Sequence, residues 1–460
     1  MTDTTHDTTE SLAPESSDEQ ASELSGTGDF FQVGNYAPVT DELSTFDLAV
    51  EGAIPAELDG WYLRNGPNPR TATGHWFTGD GMIHGVRIEN GKAAWYRNRW
   101  VRTDSFLDPF PLYNEDGTRN LRASVANTHV VNHAGRTLAL VESSLPYEIT
   151  KDLETLGAYD FGGKLADAMT AHPKICPTTG EMHFFGYGNI HTPHVTYHRA
   201  DAHGDLVINR PLDVPALTMM HDFALTANYV VFMDLPIVFD ADIAISGAGD
   251  MPFRWDDGYG ARLGVLWRDD PFGEVRWFDI DPCYVFHVAN AYDDGRRLVL
   301  QAVRYPELWR DNGGFDADGV MWTWTIDLAA GSVSESQLDD RAVEFPRIDD
   351  RLATLPARYA VSVGGSSLVR HDLRTGVAEE HRFGTDGGPG EAVFVPSTVG
   401  PADESSGWYL GYVYDPERNG SDLVIIDASD FSGPPVARIK LPQRVPYGFH
   451  GNWIAGDPAG

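Results

Sequence analysis

Cysteine is nearly absent from this chain, and lysine is scarce. Cys176 and Cys283 are the two thiols among 460 residues. They are too few for a disulfide framework, and both sit in apolar stretches that read as reduced and buried, which fits a cytoplasmic protein. Lysine supplies five of the 34 basic residues and arginine the rest, against 68 acidic ones. The resulting formal charge of −34 argues against nucleic-acid binding by phosphate neutralisation. Long hydrophobic runs are missing as well. No stretch approaches the roughly 20 apolar residues that a membrane span needs, so a soluble protein is expected. The opening MTDTTHDTTESLAPESSDEQ is acidic and has no apolar centre, so it does not read as a signal peptide.

What is present is strand. The apolar fraction of 42% and aromatic fraction of 11% suit a globular chain rich in β-structure. Residues 1–28 read as a disordered acidic tail, and residues 29–460 as one domain, since the Pro/Gly-rich pieces (NGPNPR, GTDGGPGE, DFSGPP) are short enough to be loops. Strand-like segments then recur between turn signals: AAWYRNRWV after Asn90-Gly91, EMHFFGY, HVTYHRA, YVVFMDLP, RLVLQAVR after Asp294-Gly295, WTWTIDL, WYLGYVYD and DLVIIDA. Helical patterns are few. LETLGAYDFGGKLADAM has a helical flavour despite three glycines, and DADIAI is short. Evenly spaced antiparallel strands over such a length predict an all-β propeller. No WD or kelch signature is present, so the spacing leaves the blade number open.

The stretch Thr218 to Ile237, TMMHDFALTANYVVFMDLPI, sets His221 directly before a run that reads as a buried strand. A buried imidazole needs a partner. His172 (TAHPKIC), His287 (YVFHVAN) and His450 (YGFHGNW) lie in comparable settings. Four histidines on separate strands, meeting on the axis of a propeller, would form a metal site without thiolate or carboxylate ligands. Imidazole suits Zn, Cu, Fe and Ni, and four neutral ligands on an octahedral iron leave two positions for oxygen chemistry. Any one of the 16 histidines is more often a packing or surface residue than a ligand. His191, His194 and His198 form a rival group that reads as a solvated edge, and His75 and His84 read as local packing.

Several segments in order (RNGPNP, HWFTGDGMIHGVRI, YRNRWVRT, AHPK…TGEMHFFGY, MMHDFALT…DLPI, FHVANAY and YGFHGNW) make the chain resemble the carotenoid cleavage oxygenases from about Phe31 to Trp453. That family includes apocarotenoid oxygenases, stilbene-cleaving enzymes and the vertebrate retinoid isomerase. The resemblance implies a seven-bladed β-propeller with a cap of loops and short helices over an axial metal site. It implies one Fe(II) per chain held by His172, His221, His287 and His450. Glu142, Glu344 and Glu391 match family glutamates that accept hydrogen bonds from ligand imidazoles, and their apolar neighbours argue against plain surface charge. Thr128 matches a threonine whose methyl crowds one open iron position.

The resemblance further implies O2-dependent cleavage of a carbon–carbon double bond into two carbonyl products. The alkene would lie in an apolar tunnel lined by aromatic loop residues such as Trp76, Phe77, Phe106, Phe110 and Phe286. Phenol-cleaving relatives hold their substrate with a tyrosine and a lysine. The lysine lies immediately before the first of the three glutamates, where this chain has Val141, and Trp100 is the candidate for the tyrosine position. A carotenoid or apocarotenoid is therefore expected, with a stilbene or propenylphenol as the alternative. An isomerase and a non-catalytic binding propeller are the remaining alternatives, separated by O2 consumption and by bound iron. The loop after Pro236, IVFDADIAISGAG, is the candidate for weak peripheral membrane contact.

Overall fold

A computed structural model describes residues 32–456, apart from 72, 74, 143, 166, 247–250, 311–316 and 385–386. The acidic tail at 1–28 lies outside the described residues. The described chain is a seven-bladed β-propeller: seven antiparallel sheets of four or more strands, with one extra two-stranded sheet. Blade I is closed by segments from near both ends of the described chain, since Gly451–Ala455 pairs with Gly60–Pro67. Blade II runs from His129–His133 to Thr155–Ala158, and blade III from Lys174–Ile175 to Leu206–Leu212. Blade IV starts at Phe223–Leu225, blade V at Val288–Asp293 and blade VI at Glu344–Arg347. Blade VII contains Val393–Pro396 and takes Val50–Gly52 as its outer strand. A second closure thus joins the two ends of the chain.

The local chemistry explains the punctuation. Asn90 and Gly91 have φ of 51° and 68°, the left-handed pair that a two-residue hairpin between Gly81–Glu89 and Lys92–Trp100 requires. Between the turns, strands such as Tyr229–Asp234 and Met182–Tyr187 are buried almost throughout, because each blade packs on a neighbour at both faces. Phe184, Phe185, Phe223 and Phe232 are fully buried, each worth roughly 1.5–3 kcal/mol of burial.

Two sequence expectations change. The run after His221 is a hairpin, Phe223–Leu225 and Tyr229–Asp234, turned at Thr226, whose hydroxyl accepts from Tyr229 N. LETLGAYDFGG is not helical: Thr155–Ala158 is a strand paired with Tyr147–Ile149, and Gly157, Gly162 and Gly163 all have positive φ, which a helix does not accommodate. DADIAI is helical, as Ala241–Ser246, and with Asp104–Leu107 it makes up the α-helix among the described residues. Among those residues no helix is long and apolar enough to cross a membrane. The IVFDADIAISGAG loop leaves Ile245 83% exposed, and part of it falls at 247–250, outside the described residues.

Candidate metal centre

The seven blades place one imidazole or carboxylate each at the same station, at or just before the innermost strand. In ring order these are His450, His129, His172, His221, His287, Glu344 and Glu391. The equivalence follows from the fold, because each of these residues stands where its blade's innermost strand begins. Four of these seven converge. His172, His221, His287 and His450 are all buried, and each offers a ring nitrogen within 4.8 Å of the others. Nε2 of His221 lies 3.0 Å from Nε2 of His172 and 3.2 Å from Nε2 of His287.

Three of the four rings are held from behind by carboxylates. Nδ1 of His287 is 2.5 Å from Glu344 Oε2 and Nδ1 of His450 is 2.8 Å from Glu391 Oε1. The Glu142 carboxylate abuts Nδ1 of His221 and accepts from the Tyr187 hydroxyl. A carboxylate on Nδ1 fixes the proton there, so Nε2 of these three rings turns a lone pair inward. Facing lone pairs at about 3 Å repel unless a cation lies among them, so the donor set fits a metal bound through four neutral nitrogens. Burial, and then the neighbouring histidines, hold His172 and His450 well below the usual imidazole range. Burial also depresses His287, but the Glu344 charge and hydrogen bond outweigh it and leave the net shift upward.

Several supports were not legible in the sequence. Asp222, 1% exposed, accepts from the backbone N of Phe223 and Val288 and pairs with Lys174 Nζ at 2.7 Å. It ties together the segments that carry His221, His287 and His172. Arg347 plays a similar part on the other side, donating to Glu391 Oε2 at 3.0 Å, to Gly451 O at 2.9 Å and to Asn452 Oδ1 at 3.0 Å. The one signal available was an acidic residue directly after His221. Phe345, beside Glu344, has φ of 55°, a strained conformation for a bulky residue, and its ring stands 5.1 Å from His287.

The chain's direction separates two environments. Residues just before the histidines gather with Phe77 and Trp309: Phe286 lies edge-on to His221 at 5.2 Å, Phe77 meets Phe286 at 6.4 Å and Phe449 at 5.6 Å, and Trp309 stands 6.2 Å from Phe286. Residues after the histidines line a cavity of about 470 Å³ that reaches His172, His287 and His450, apolar over most of its wall but carrying Lys174, Asp222, Asn290 and Arg347. Thr128 is buried next to the cluster. Its carbonyl accepts from His450 N at 3.0 Å, and its hydroxyl donates to Asn127, whose amide in turn holds the Phe77 and Gly79 carbonyls. Val141 is half-buried beside Glu142.

Other candidates fall elsewhere. Phe106 packs under Arg70 and near Trp100, and Phe110 under Arg122. Trp76 packs at a tilt against Phe449, 4.6 Å between ring centres, at the edge of the aromatic group. Trp100 donates its indole N–H to Asn68 O. His84 bonds Tyr96 and His75 accepts from Phe77 N, both local. His198 corrects the reading of a solvated edge: it is buried against Phe184 with Nδ1 on Asn209, because both faces of its strand are covered. His191 is exposed.

With this geometry in hand, the comparisons with known proteins are specific. The retinal pigment epithelial membrane protein family matches over residues 36–455. The "Carotenoid cleavage oxygenase" of Mycobacterium tuberculosis is 39% identical, over 91% of this chain and 96% of that protein. The "Carotenoid 9,10(9',10')-cleavage dioxygenase" of Crocus sativus is 36% identical, over 92% and 88%. Among solved structures, lignostilbene dioxygenase of Pseudomonas brassicacearum superposes with a TM-score of 0.84 at 29% identity, covering 92% of this chain and 98% of that one. Cobalt-substituted apocarotenoid oxygenase of Synechocystis gives 0.81 at 27%, covering 91% and 97%. The chain belongs to the retinal pigment epithelial membrane protein family, which takes in the carotenoid cleavage oxygenases, and it is a dioxygenase-type enzyme that cleaves an alkene.

Proposed function

We propose that the chain is a non-haem Fe(II) dioxygenase that cleaves a C=C bond of a carotenoid or apocarotenoid with O2, giving two carbonyl products. One iron per chain would be held by His172, His221, His287 and His450. The observation that carries this reading is the inward turn of Nε2 on rings whose Nδ1 protons are held by Glu142, Glu344 and Glu391. Iron bound there would supply O2 binding and the electrons that its activation needs. The remaining work belongs to the chain. The glutamates orient the imidazoles and raise their donor strength without themselves occupying a ligand position. Phe77 and Phe286 present apolar walls to a polyene and keep water from the reacting bond. Thr128, tethered to Asn127 and His450, crowds one side of the site and so selects where a small molecule can sit.

Val141 supports a polyene over a phenol, because an apolar side chain at that position offers no charge to a phenolate. Two relatives named for carotenoid cleavage are 39% and 36% identical to this chain. We take residues 29–460 as a single catalytic unit. The test is anaerobic loading with Fe(II), then O2 uptake with an apocarotenal and, separately, with a hydroxystilbene, the products being read by mass. Two carbonyl fragments from the polyene, with one O2 consumed per bond cut, are expected. Fragments from the stilbene alone would overturn the substrate assignment, and a rearranged polyene without O2 uptake would overturn the reaction.

A further inference from the structure

The cavity beyond the histidines is lined by neither Phe77 nor Phe286, and it runs from the exposed Asp350 and Arg351 to the buried His172 and His450. Its charged walls are paired: Lys174 with Asp222, Arg347 with Glu391, and Arg351 with Asp349. The charged part of the wall is therefore close to neutral rather than cationic, and it lies among apolar side chains such as Ile175, Leu225 and Ile348. Asn290 lines it as well, 2% exposed, with neither atom of its amide partnered. Such a group calls for a polar occupant, since an unmade hydrogen bond on a buried amide is costly. A cation with six waters takes roughly 180 Å³, at about 30 Å³ per water, well within about 470 Å³. The other approach to the histidines is walled by Phe77, Phe286, Phe449 and Trp309. Crossing it would strip a cation of its water with nothing to replace it.

His129 adds a second, independent observation. It holds the blade II station equivalent to the four histidines, with its ring 5.1 Å from that of His450 and 6.1 Å from that of His172, but it is not one of the four that converge. Its Nδ1 is 2.8 Å from the Ala171 carbonyl, and a ring nitrogen facing a carbonyl carries the proton. Nε2 therefore has the lone pair, 3.3 Å from the Asn452 amide. Both His129 and Asn452 line the cavity. A fifth imidazole, whose Nε2 lone pair is met only by the Asn452 amide, thus stands on the wall just outside the four.

We propose that this axial cavity, with His129 as a transient ligand on its wall, is the path by which a hydrated divalent cation enters and leaves the four-histidine site. The proposal rests on the reading of His172, His221, His287 and His450 as metal ligands. The test is the rate of Co(II) uptake by the metal-free full-length protein, followed by stopped-flow absorbance, with the rate of loss to excess chelator and the final stoichiometry read separately. Ala353→Trp and Asn132→Trp, both at half-buried lining positions, narrow the cavity without touching the four histidines. Each should slow uptake and loss together by at least tenfold, with one Co(II) per chain bound at the end. His129→Phe should slow uptake by a smaller factor at the same final stoichiometry. Filling the aromatic side with an apolar detergent should leave uptake unchanged. Parent-like rates in both tryptophan variants, or slowing by detergent in their place, would overturn the route. Absence of Co(II) binding by the parent protein would overturn the metal reading, and the route with it.

Discussion

The two ends of the propeller axis differ, one aromatic and the other carrying ion pairs among aliphatic side chains, and the four histidines mark the boundary. Before them in the chain come Phe286 and Phe449, which meet Phe77 and Trp309. After them come Lys174, Asp222 and Asn290, in a cavity with paired charges. One strand direction, repeated in seven blades, sorts the residues on either side of each histidine into opposite environments. Position relative to the ligand in sequence therefore tells which end a residue serves. A substitution before the histidine should alter handling of the alkene, and one at or after it should alter the metal or the scaffold.

The largest effect is expected at the boundary itself. His221→Ala removes one of four donors and leaves Glu142 without its ring, so metal content and activity should fall to background while the far-ultraviolet circular dichroism stays that of a β-protein. Glu344→Gln and Glu391→Gln come next. Each should weaken metal binding about 10–100-fold, as read by chelator competition. Glu391→Gln should also lower the thermal midpoint, because it leaves the Arg347 guanidinium, only 14% exposed as a side chain, with the more distant and exposed Asp350 as its remaining carboxylate. On the apolar end, Phe286→Ala should destabilise the fold by about 3–5 kcal/mol and raise KM for the alkene, with metal stoichiometry unchanged. Val141→Lys should have the smallest effect, a shift of relative turnover toward phenolic stilbenes, measured by competing the two substrates in one reaction.

A pH dependence sharpens the contrast between this centre and the outer blades. His183, fully buried and bonded to Tyr197, is pushed down to about 4, chiefly by burial. It stays neutral in the folded chain while an unfolded histidine protonates near 6.5. Its contribution to stability is therefore complete above about pH 6.5 and is lost as the pH falls toward 4. The loss is about 3 kcal/mol over that window. Denaturant unfolding at pH 7 and pH 4.5 should show this difference, and a His183→Phe variant should reduce it.

How much of this was legible beforehand depends on the range of the interaction. The ligand histidines could be read because each stands at the mouth of a strand with its own local motif, and the three glutamates through the family resemblance, their apolar neighbours arguing only against a surface charge. Asp222 could not, since its partner Val288 lies 66 residues away and becomes adjacent only when the ring closes. Arg347 reaches Gly451, 104 residues on, for the same reason. His129 was hidden by the absence of an internal repeat: without seven aligned blades, nothing shows that it shares a station with the ligands. Short-range errors had local causes. The hairpin after His221 turns on Thr226 and Asn228, which interrupt an otherwise apolar run, and the glycines of LETLGAYDFGG favour a strand and turns over a helix.

The central claim is that the four Nε2 atoms hold a metal. Anomalous diffraction from crystals of Co(II)-loaded protein tests it most directly. One strong peak per chain among His172, His221, His287 and His450 is the expected result. A peak at another site, or none in protein shown to have taken up Co(II), would contradict the account.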